Sequence, residues 1–551
     1  AMLLNNVTLL GKSIDLADKQ AHEDSNVVTI MMGSNGSGKS RIFQAICSAF
    51  IYASHNDIMP NHYTDVTNLS DLEGFDSLSY IQDGDLNLFS RNKLPFHRRY
   101  DLPNDAFIIL ISGYPYEDVI KYRVHNVHDD SLVENIVSMF LHEVKQYGKK
   151  FQLKKNGEIC DTFKMPNKVL AVTGSPYDKF PFKNSHSGLH SFSSYVYLGT
   201  REKRQAGYRR NRGYLSYKFD QLGASFIKLL LKPKQEYFDF SKMLDFLNIS
   251  SSFTLKLYFS DRIRSRELNQ ESIIDLVRSV KFFKDKDHEM ISEDIDKEEL
   301  SKRLLEAIKY VGGEELEKED YRFDPIEILC QIDLAKGDND KLRLSSLELL
   351  SEYDLVELDD VVFSKTESNQ EFLLSQASSG ELSLLFTMSS IAGEIQNGSL
   401  ILIDEPEISL HPKWQLNFLS LLTDIFSNYK ACHFIIATHS PNIISSIPSD
   451  NAYIVNVDTD EAQLMPSKMY HNRSADFQLA SVFNAPGNNN EYLLSQVIEV
   501  LDNLCKSKEF DNDSLHRAKW LLTFENKVPD GDKVKVLLRI LKQTMEALNI
   551  K

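Results

Sequence analysis

The 551-residue chain has 5 cysteines, 2 tryptophans and 16 prolines, and its formal net charge is −17. Cys47, Cys160, Cys330, Cys432 and Cys505 are scattered without paired spacing, which argues against a zinc site or a disulfide framework and fits a reducing compartment. No apolar run approaches the roughly 20 residues that span a bilayer, and no basic-then-apolar leader opens the chain, so a cytoplasmic protein is expected without a membrane partner. Ala1 precedes Met2, and Met2 is the expected native start. The negative balance excludes wholesale coating by nucleic acid, because a phosphate backbone is held by positive surface, and leaves only local contact. No internal repeat and no low-complexity tract is found. With 42% hydrophobic and 26% charged residues, the chain can bury a sizeable core in two or three packed subdomains.

Against that background one stretch stands out. Val27 to Met32 is a nearly continuous apolar run of the kind a buried parallel strand needs. Gly33, Ser34, Asn35, Gly36, Ser37, Gly38, Lys39 and Ser40 follow, and Ile42, Phe43, Ile46, Ala49 and Phe50 then repeat at helical spacing. Strand, glycine-rich loop and helix form a phosphate cradle, in which backbone N–H groups converge on the anion, Lys39 reaches the β- and γ-phosphates and Ser40 ligates Mg²⁺. ATP with Mg²⁺ is the expected ligand.

Far downstream, the apolar run from Ser399 to Ile403 ends in Asp404 and Glu405. Asp404 is placed to hold Mg²⁺ and Glu405 to polarise the attacking water. A helix is predicted from Pro412, and another buried strand, Phe434 to Thr438, ends in His439. A histidine at a strand end is often structural, but here it falls beside the loop and the carboxylates and is placed to sense the γ-phosphate. Ala377, Ser378, Ser379, Gly380 and Glu381 open an expected amphipathic helix carrying Leu382, Leu385, Met388, Ile391 and Ile395. Its N-terminus makes a second anion site.

In this order the four motifs resemble the ABC-type ATPases. The resemblance implies that Ser378, Ser379 and Gly380 close on the nucleotide of another subunit, and therefore at least a dimer. Ala377 stands where the family often has leucine, a packing change that leaves the anion donors in place. Roughly 340 residues separate Lys39 from Gly380, far more than in transporter motors of this type, and no sustained heptads fill the interval as they do in long-armed SMC proteins. The compact relatives remain: RecF-like repair proteins, OLD nucleases and related defence ATPases. About 110 residues follow His439, and the Asp458, Thr459, Asp460 stretch reads as a hairpin turn while Asp530, Gly531, Asp532 reads as a helix cap. A nuclease centre in this chain is therefore not expected, and the tail is predicted helical.

A complete nucleotide site without coiled coil or nuclease centre resembles the PtuA-like ATPases of Septu anti-phage systems, some of them retron-associated. The resemblance covers residues 1–60 and 345–445. It implies a partner HNH endonuclease and, in retron-associated versions, a reverse transcriptase with its DNA–RNA product. A RecF- or SMC-like DNA clamp and an OLD-like nuclease are the alternatives.

The middle of the chain offers one basic segment, with Arg201, Lys203, Arg204, Arg209, Arg210 and Arg212 followed by Tyr214 and Tyr217. It suits a nucleic-acid backbone with stacked bases, and equally a solvated loop paired to the acidic remainder. Arg91, Lys93, His97, Arg98 and Arg99 extend the path, and Asp261 to Arg266 is a weaker cluster. The acidic stretch from Lys284 to Glu319 reads as a solvated insertion or a nucleic-acid mimic. The expected architecture is α/β: an ABC-type P-loop ATPase core with a mainly parallel sheet, built from residues 1–60 and 341–450. A β lobe and mixed helical insertion fills 61–340, and a hairpin and helical interaction region fills 451–551.

Overall fold

A computed structural model describes residues 2–18, 25–34, 36–58, 74–91, 97–102, 106–112, 120–125, 130–147, 151–160, 164–182, 194–200, 215–260, 263, 268–279, 297–313, 326–336, 340–353, 355–459, 462–507 and 512–548. Its centre is a seven-stranded sheet in the order Tyr195–Leu198, Val169–Thr173, Leu400–Asp404, His433–Thr438, Val27–Met32, Ala452–Asn456, Leu464–Pro466. Every neighbouring pair is parallel except the last, where Ala452–Asn456 and Leu464–Pro466 form the antiparallel hairpin that the turn chemistry predicts.

The continuous apolar runs have a direct cause: both faces of this sheet are covered. Val27–Met32, Leu400–Asp404 and His433–Thr438 are buried at every position. Successive side chains point to opposite faces, so Ile401 and Ile403 enter one core while Leu400 and Leu402 enter another. On the second face lies the helix Lys39–Ile58, whose Ile42, Phe43, Ile46, Ala49 and Phe50 are buried against Leu4, Val7, Leu78, Tyr80 and Phe89. Those partners come from a six-stranded antiparallel sheet in the order Glu158–Ile159, Phe151–Lys155, Asp85–Arg91, Phe75–Gln82, Met2–Leu9, Lys12–Asp15. Burying one such phenylalanine contributes about 1.5–3 kcal/mol, which makes this helix a rigid base for the loop that precedes it.

Three features depart from the expected layout. Val169–Thr173 and Tyr195–Leu198 belong to the parallel sheet although they fall in the stretch assigned to the insertion, and Met2–Asp15 belongs to the antiparallel sheet although it falls in the stretch assigned to the core. Short buried strands without a motif at their ends look alike in sequence, and only pairing distinguishes them. The helix Ser379–Glu394 is buried from Leu384 through Gly393 and is therefore not amphipathic as expected. It runs between the strands Val169–Thr173 and Tyr195–Leu198 on one side and the helix Leu215–Leu231 on the other, leaving no wet face from Leu384 to Gly393.

The first core also takes in the helices Lys234–Phe246 and Pro412–Ile425 and a four-stranded antiparallel sheet in the order Glu327–Asp333, Ser252–Phe259, Val356–Ser364, Glu371–Leu373. The helices Glu491–Ser507, Asn512–Leu522 and Lys533–Ala547 enclose a core of their own around Leu493, Val497, Leu521, Phe524 and Leu538. Asp532 caps the last helix as its sequence position predicts, accepting the Val534 N–H at 2.7 Å, and its other oxygen accepts the Asn489 N–H at 2.6 Å. Among the described residues, no helix is long and apolar enough to cross a membrane.

Candidate nucleotide site

Parallel register brings the separate motifs to one edge of the sheet. Asp404 pairs with Ala437 and with Thr173, and Thr438 pairs with Met32, so the loop after Met32, the carboxylates at Asp404 and Glu405 and the histidine after Thr438 leave three adjacent strands at the same end. This is the end at which open parallel sheets bind ligands.

The loop itself turns tightly, with Ser37 N–H donating to Ser34 O at 3.1 Å. Gly38 has φ +94, a left-handed conformation open to glycine and strained for side chains, and its carbonyl accepts the Ile42 N–H at 2.9 Å as the helix begins. The Lys39 ammonium donates to the carbonyls of Gly33 at 2.9 Å and Ser34 at 3.1 Å, and lies 3.4 Å from His439 Nδ1. Burial pulls its pKa down, while Glu405, Asp404, Asp458 and Glu407 pull it up.

Asp404 is buried, and its Oδ1 has no hydrogen-bond partner. Desolvation pushes its pKa up to about 7, against a hydrogen bond from Ser40. A buried, unpartnered carboxylate oxygen beside the Ser40 hydroxyl is a donor set that fits Mg²⁺, which takes one or two carboxylates together with phosphate oxygens. Ser40 and Asp404 would hold the ion, and its chemistry there would be neutralisation of the phosphate charge.

Glu405 sits at φ +50, a left-handed backbone that costs a non-glycine residue about 1–3 kcal/mol, and its N–H is tied to Ala437 O at 2.9 Å. The turn aims its carboxylate at the His439 ring, with Oε1 3.4 Å from Nε2. The hydrogen bond from His439 is the chief cause holding the Glu405 pKa low, so this carboxylate is ionised and able to accept a proton. Lys39 can only donate, so His439 Nδ1 accepts and the ring proton lies on Nε2, toward Glu405. Lysine, histidine and glutamate thus form a line across three strands.

Glu407 carries no motif role in the sequence, yet it fixes this line. Its Oε1 accepts the His439 N–H at 2.6 Å, and Oε2 is buried without a partner. Burial raises its pKa, against the His439 N–H bond. The only signal in the sequence was its place three residues after Asp404. Ser440 supports the same corner, donating to Gln415 Oε1 at 2.7 Å while capping Pro441–Ser445. Asp458, read as a turn residue, also reaches the loop and holds Ser34.

The helix proposed to offer the second anion site begins where expected. Ser378 caps Ser379–Glu394 in a reciprocal box: its Oγ accepts the Glu381 N–H at 3.3 Å, and Glu381 Oε2 accepts the Ser378 N–H at 2.9 Å. Gly380 presses on the segment after Glu407, where a Cβ would come within 2.9 Å of Ser409 O and 2.7 Å of the Trp414 ring. Ser378 Oγ also donates to Glu381, so the first-turn N–H groups of Ser379 and Gly380 are the donors this helix start can offer an anion.

Asn35 and the whole basic segment with Arg201, Lys203, Arg204, Arg209, Arg210 and Arg212 lie outside the described residues, as do Lys93, Asp460, Arg262, Arg264 and Arg266. Of the acidic stretch, 284–296 and 314–319 lie outside and the helix Lys297–Gly312 is described. Arg91 ends the strand Asp85–Arg91, and His97, Arg98 and Arg99 open the strand His97–Leu102.

A glycine loop on a helix N-terminus, a strand ending in two carboxylates and a histidine-ended strand between the two give the fold of a P-loop ATPase core. A family model described as "AAA domain, putative AbiEii toxin, Type IV TA system" matches residues 232–445, a span that contains Ser378, Asp404, Glu405 and His439 and lies downstream of the phosphate loop. The chain is 32% identical over 146 residues to protein ea59 of Escherichia phage lambda, covering 26% of this chain and 24% of that protein. It is 24% identical over 191 residues to the retron Ec83 probable ATPase of Escherichia coli, covering 33% and 34%. It is 28% identical over 193 residues to the retron Vc95 probable ATPase of Vibrio cholerae serotype O1 biovar El Tor, covering 30% and 37%. The matched segment therefore spans between about a quarter and about two fifths of each relative's length. Among solved structures, the Smc head domain of Pyrococcus furiosus bound to the C-terminal domain of ScpA aligns with 12% identity and a TM-score of 0.28, covering 84% of this chain and 96% of that one.

Proposed function

We propose that the chain is the ATP-binding and ATP-hydrolysing subunit of an anti-phage defence assembly, in which ATP with Mg²⁺ is sandwiched between two copies and gates a partner HNH endonuclease. The observation that carries the enzymatic part is the line of Lys39, His439 and Glu405 beside the unpartnered Asp404 oxygen. Lys39 and the loop N–H groups neutralise the phosphates, Glu405 accepts the proton of the attacking water, and His439 Nε2–H steadies Glu405 and the terminal phosphate. Ser378, Ser379 and Gly380 act on the partner copy's nucleotide. Similarity to retron probable ATPases over about a third of the chain supports the defence setting. A reverse transcriptase and its DNA–RNA product are further partners in this proposal.

The test pairs two variants. Lys39→Ala weakens ATP binding, whereas Glu405→Gln keeps binding, slows turnover and traps a dimer seen by its mass. Equal loss of binding in both removes Glu405 from its role, and a Glu405→Gln chain that stays monomeric with ATP removes the sandwich. Co-expression with candidate nuclease partners tests the assembly. A bare chain that closes on DNA when given ATP supports a repair clamp instead, and metal-dependent cleavage by the purified chain supports an OLD-like nuclease.

A further inference from the structure

The turn after Ala452–Asn456 grips the phosphate loop from outside the four motifs. Asp458 Oδ2 accepts the Ser34 N–H at 2.6 Å, and Oδ1 accepts the Ser34 hydroxyl at 3.0 Å. Both oxygens of one carboxylate are therefore committed to one residue of the loop. Val457 presses on the residue before it: a Cβ on Gly33 would lie 2.7 Å from Val457 Cγ2, and the Val457 N–H donates to Met32 O at 2.9 Å.

The same turn is held from its other side by the C-terminal helices. The Asp458 N–H donates to Asn456 Oδ1 at 2.9 Å, and Asn456 Nδ2 donates to Val482 O at 3.2 Å. Val482 is the C-cap of the helix Ala475–Ser481, which leads into Glu491–Ser507. Asn490 Nδ2 donates to Asp476 O at 3.0 Å and the Glu491 N–H to Asp476 Oδ2 at 2.8 Å, so these two helices are locked together. A hydrogen-bonded path thus runs from the backbone of the helical unit through Asn456 and Asp458 to Ser34.

We propose that Asn456 and Asp458 are positioning residues that couple the C-terminal helical unit to nucleotide occupancy of the phosphate loop. The proposal rests on the nucleotide reading of that loop. A loop whose N–H groups turn toward phosphate shifts Ser34 relative to Asp458, and the turn passes the shift to Val482. Coupling of binding is reciprocal, so a protein partner seated on the helical unit changes nucleotide affinity through the same two side chains. Asp458 touches the loop directly and Asn456 does not, which separates their effects. Asp458→Ala loses two charge-assisted bonds and weakens nucleotide binding by about tenfold, while Asn456→Ala leaves binding nearly unchanged.

The experiment is amide hydrogen exchange of the full chain with and without a non-hydrolysable ATP analogue and Mg²⁺, read over 475–507, with affinity measured in parallel. The expected result is a nucleotide-dependent change in the native chain that is lost in both variants at saturating analogue. Asp458→Asn, which keeps one acceptor for Ser34, restores part of it and guards against an alanine variant that fails to fold. A response that persists in Asn456→Ala and Asp458→Ala overturns the coupling, as does a native chain that binds analogue with no response in the helices. A native chain that does not bind the analogue overturns the nucleotide reading itself, and the coupling with it.

Discussion

Glu407 offers the sharpest test of how the site is held, because it touches neither the loop nor the Asp404 carboxylate directly in the contacts that define it. Its Oε1 takes the His439 backbone N–H at 2.6 Å, and that bond sets where the ring stands between Lys39 and Glu405. Glu407→Ala leaves the N–H without its acceptor, a cost of about 1–3 kcal/mol unless the backbone moves to find another. Movement is the cheaper outcome, and it carries the ring away from Glu405 Oε1. A misplacement of about 1 Å in a catalytic group costs up to 10²-fold in rate, so kcat is expected to fall by roughly 10- to 100-fold. ATP affinity is expected to change by less than about threefold, since the Lys39 bonds to Gly33 and Ser34 do not pass through Glu407.

Phosphate release at saturating ATP gives the first quantity and a fluorescent-nucleotide titration the second. Glu407→Gln is expected to be intermediate: it keeps one acceptor oxygen for His439 but sets an amide N–H where Oε2 is buried without a partner. Unchanged kcat in Glu407→Ala refutes the role, and so does a loss of affinity as large as the loss of rate.

Three further outcomes are expected. Lys365 donates to Glu381 Oε1 at 3.1 Å and Leu247 O at 3.3 Å, joining the capping box of Ser378 to the helical layer. Lys365→Met should therefore preserve ATP binding by the chain's own loop and weaken ATP-driven dimerisation by roughly 3- to 30-fold, with Lys365→Arg restoring much of it; a matching loss of ATP binding in the monomer refutes this. His433 is fully buried, with Nδ1 accepting the Leu4 N–H at 3.1 Å and Nε2 2.9 Å from Thr29 Oγ1, and burial pushes its pKa down to about 3 from 6.5. The unfolded chain binds this proton and the folded chain does not, so stability is full above about pH 6.5 and falls as pH drops toward 3, by roughly 2 kcal/mol at pH 5. Denaturant unfolding of native protein and His433→Gln between pH 7 and 5 checks it, and equal slopes in both refute it. Phe43→Ala empties a fully buried position under the phosphate-loop helix, and should lower stability by about 3–5 kcal/mol in the same assay.

What could be read from sequence and what could not divide along a physical line. Lys39, Ser40, Asp404 and His439 could be brought together from sequence because each stands at or just beyond the end of a buried strand whose apolar run marks where it ends, and open parallel sheets bind ligands at such ends. Glu407 lies in the same stretch, but its partner is a backbone N–H 32 residues away, brought near by the strand His433–Thr438 and by the left-handed turn at Glu405. No residue type signals an N–H that needs an acceptor. Val169–Thr173 was lost for a related reason: five buried residues without a motif are a strand anywhere, and pairing with Leu400–Asp404 alone makes them core. Asp458 is the extreme case, a good turn residue whose carboxylate meets Ser34 across 424 positions. Residues that contact a ligand are constrained by its chemistry and so repeat recognisable spacings. Residues that hold those contacts are constrained only by register, which strand pairing sets and local spacing does not record.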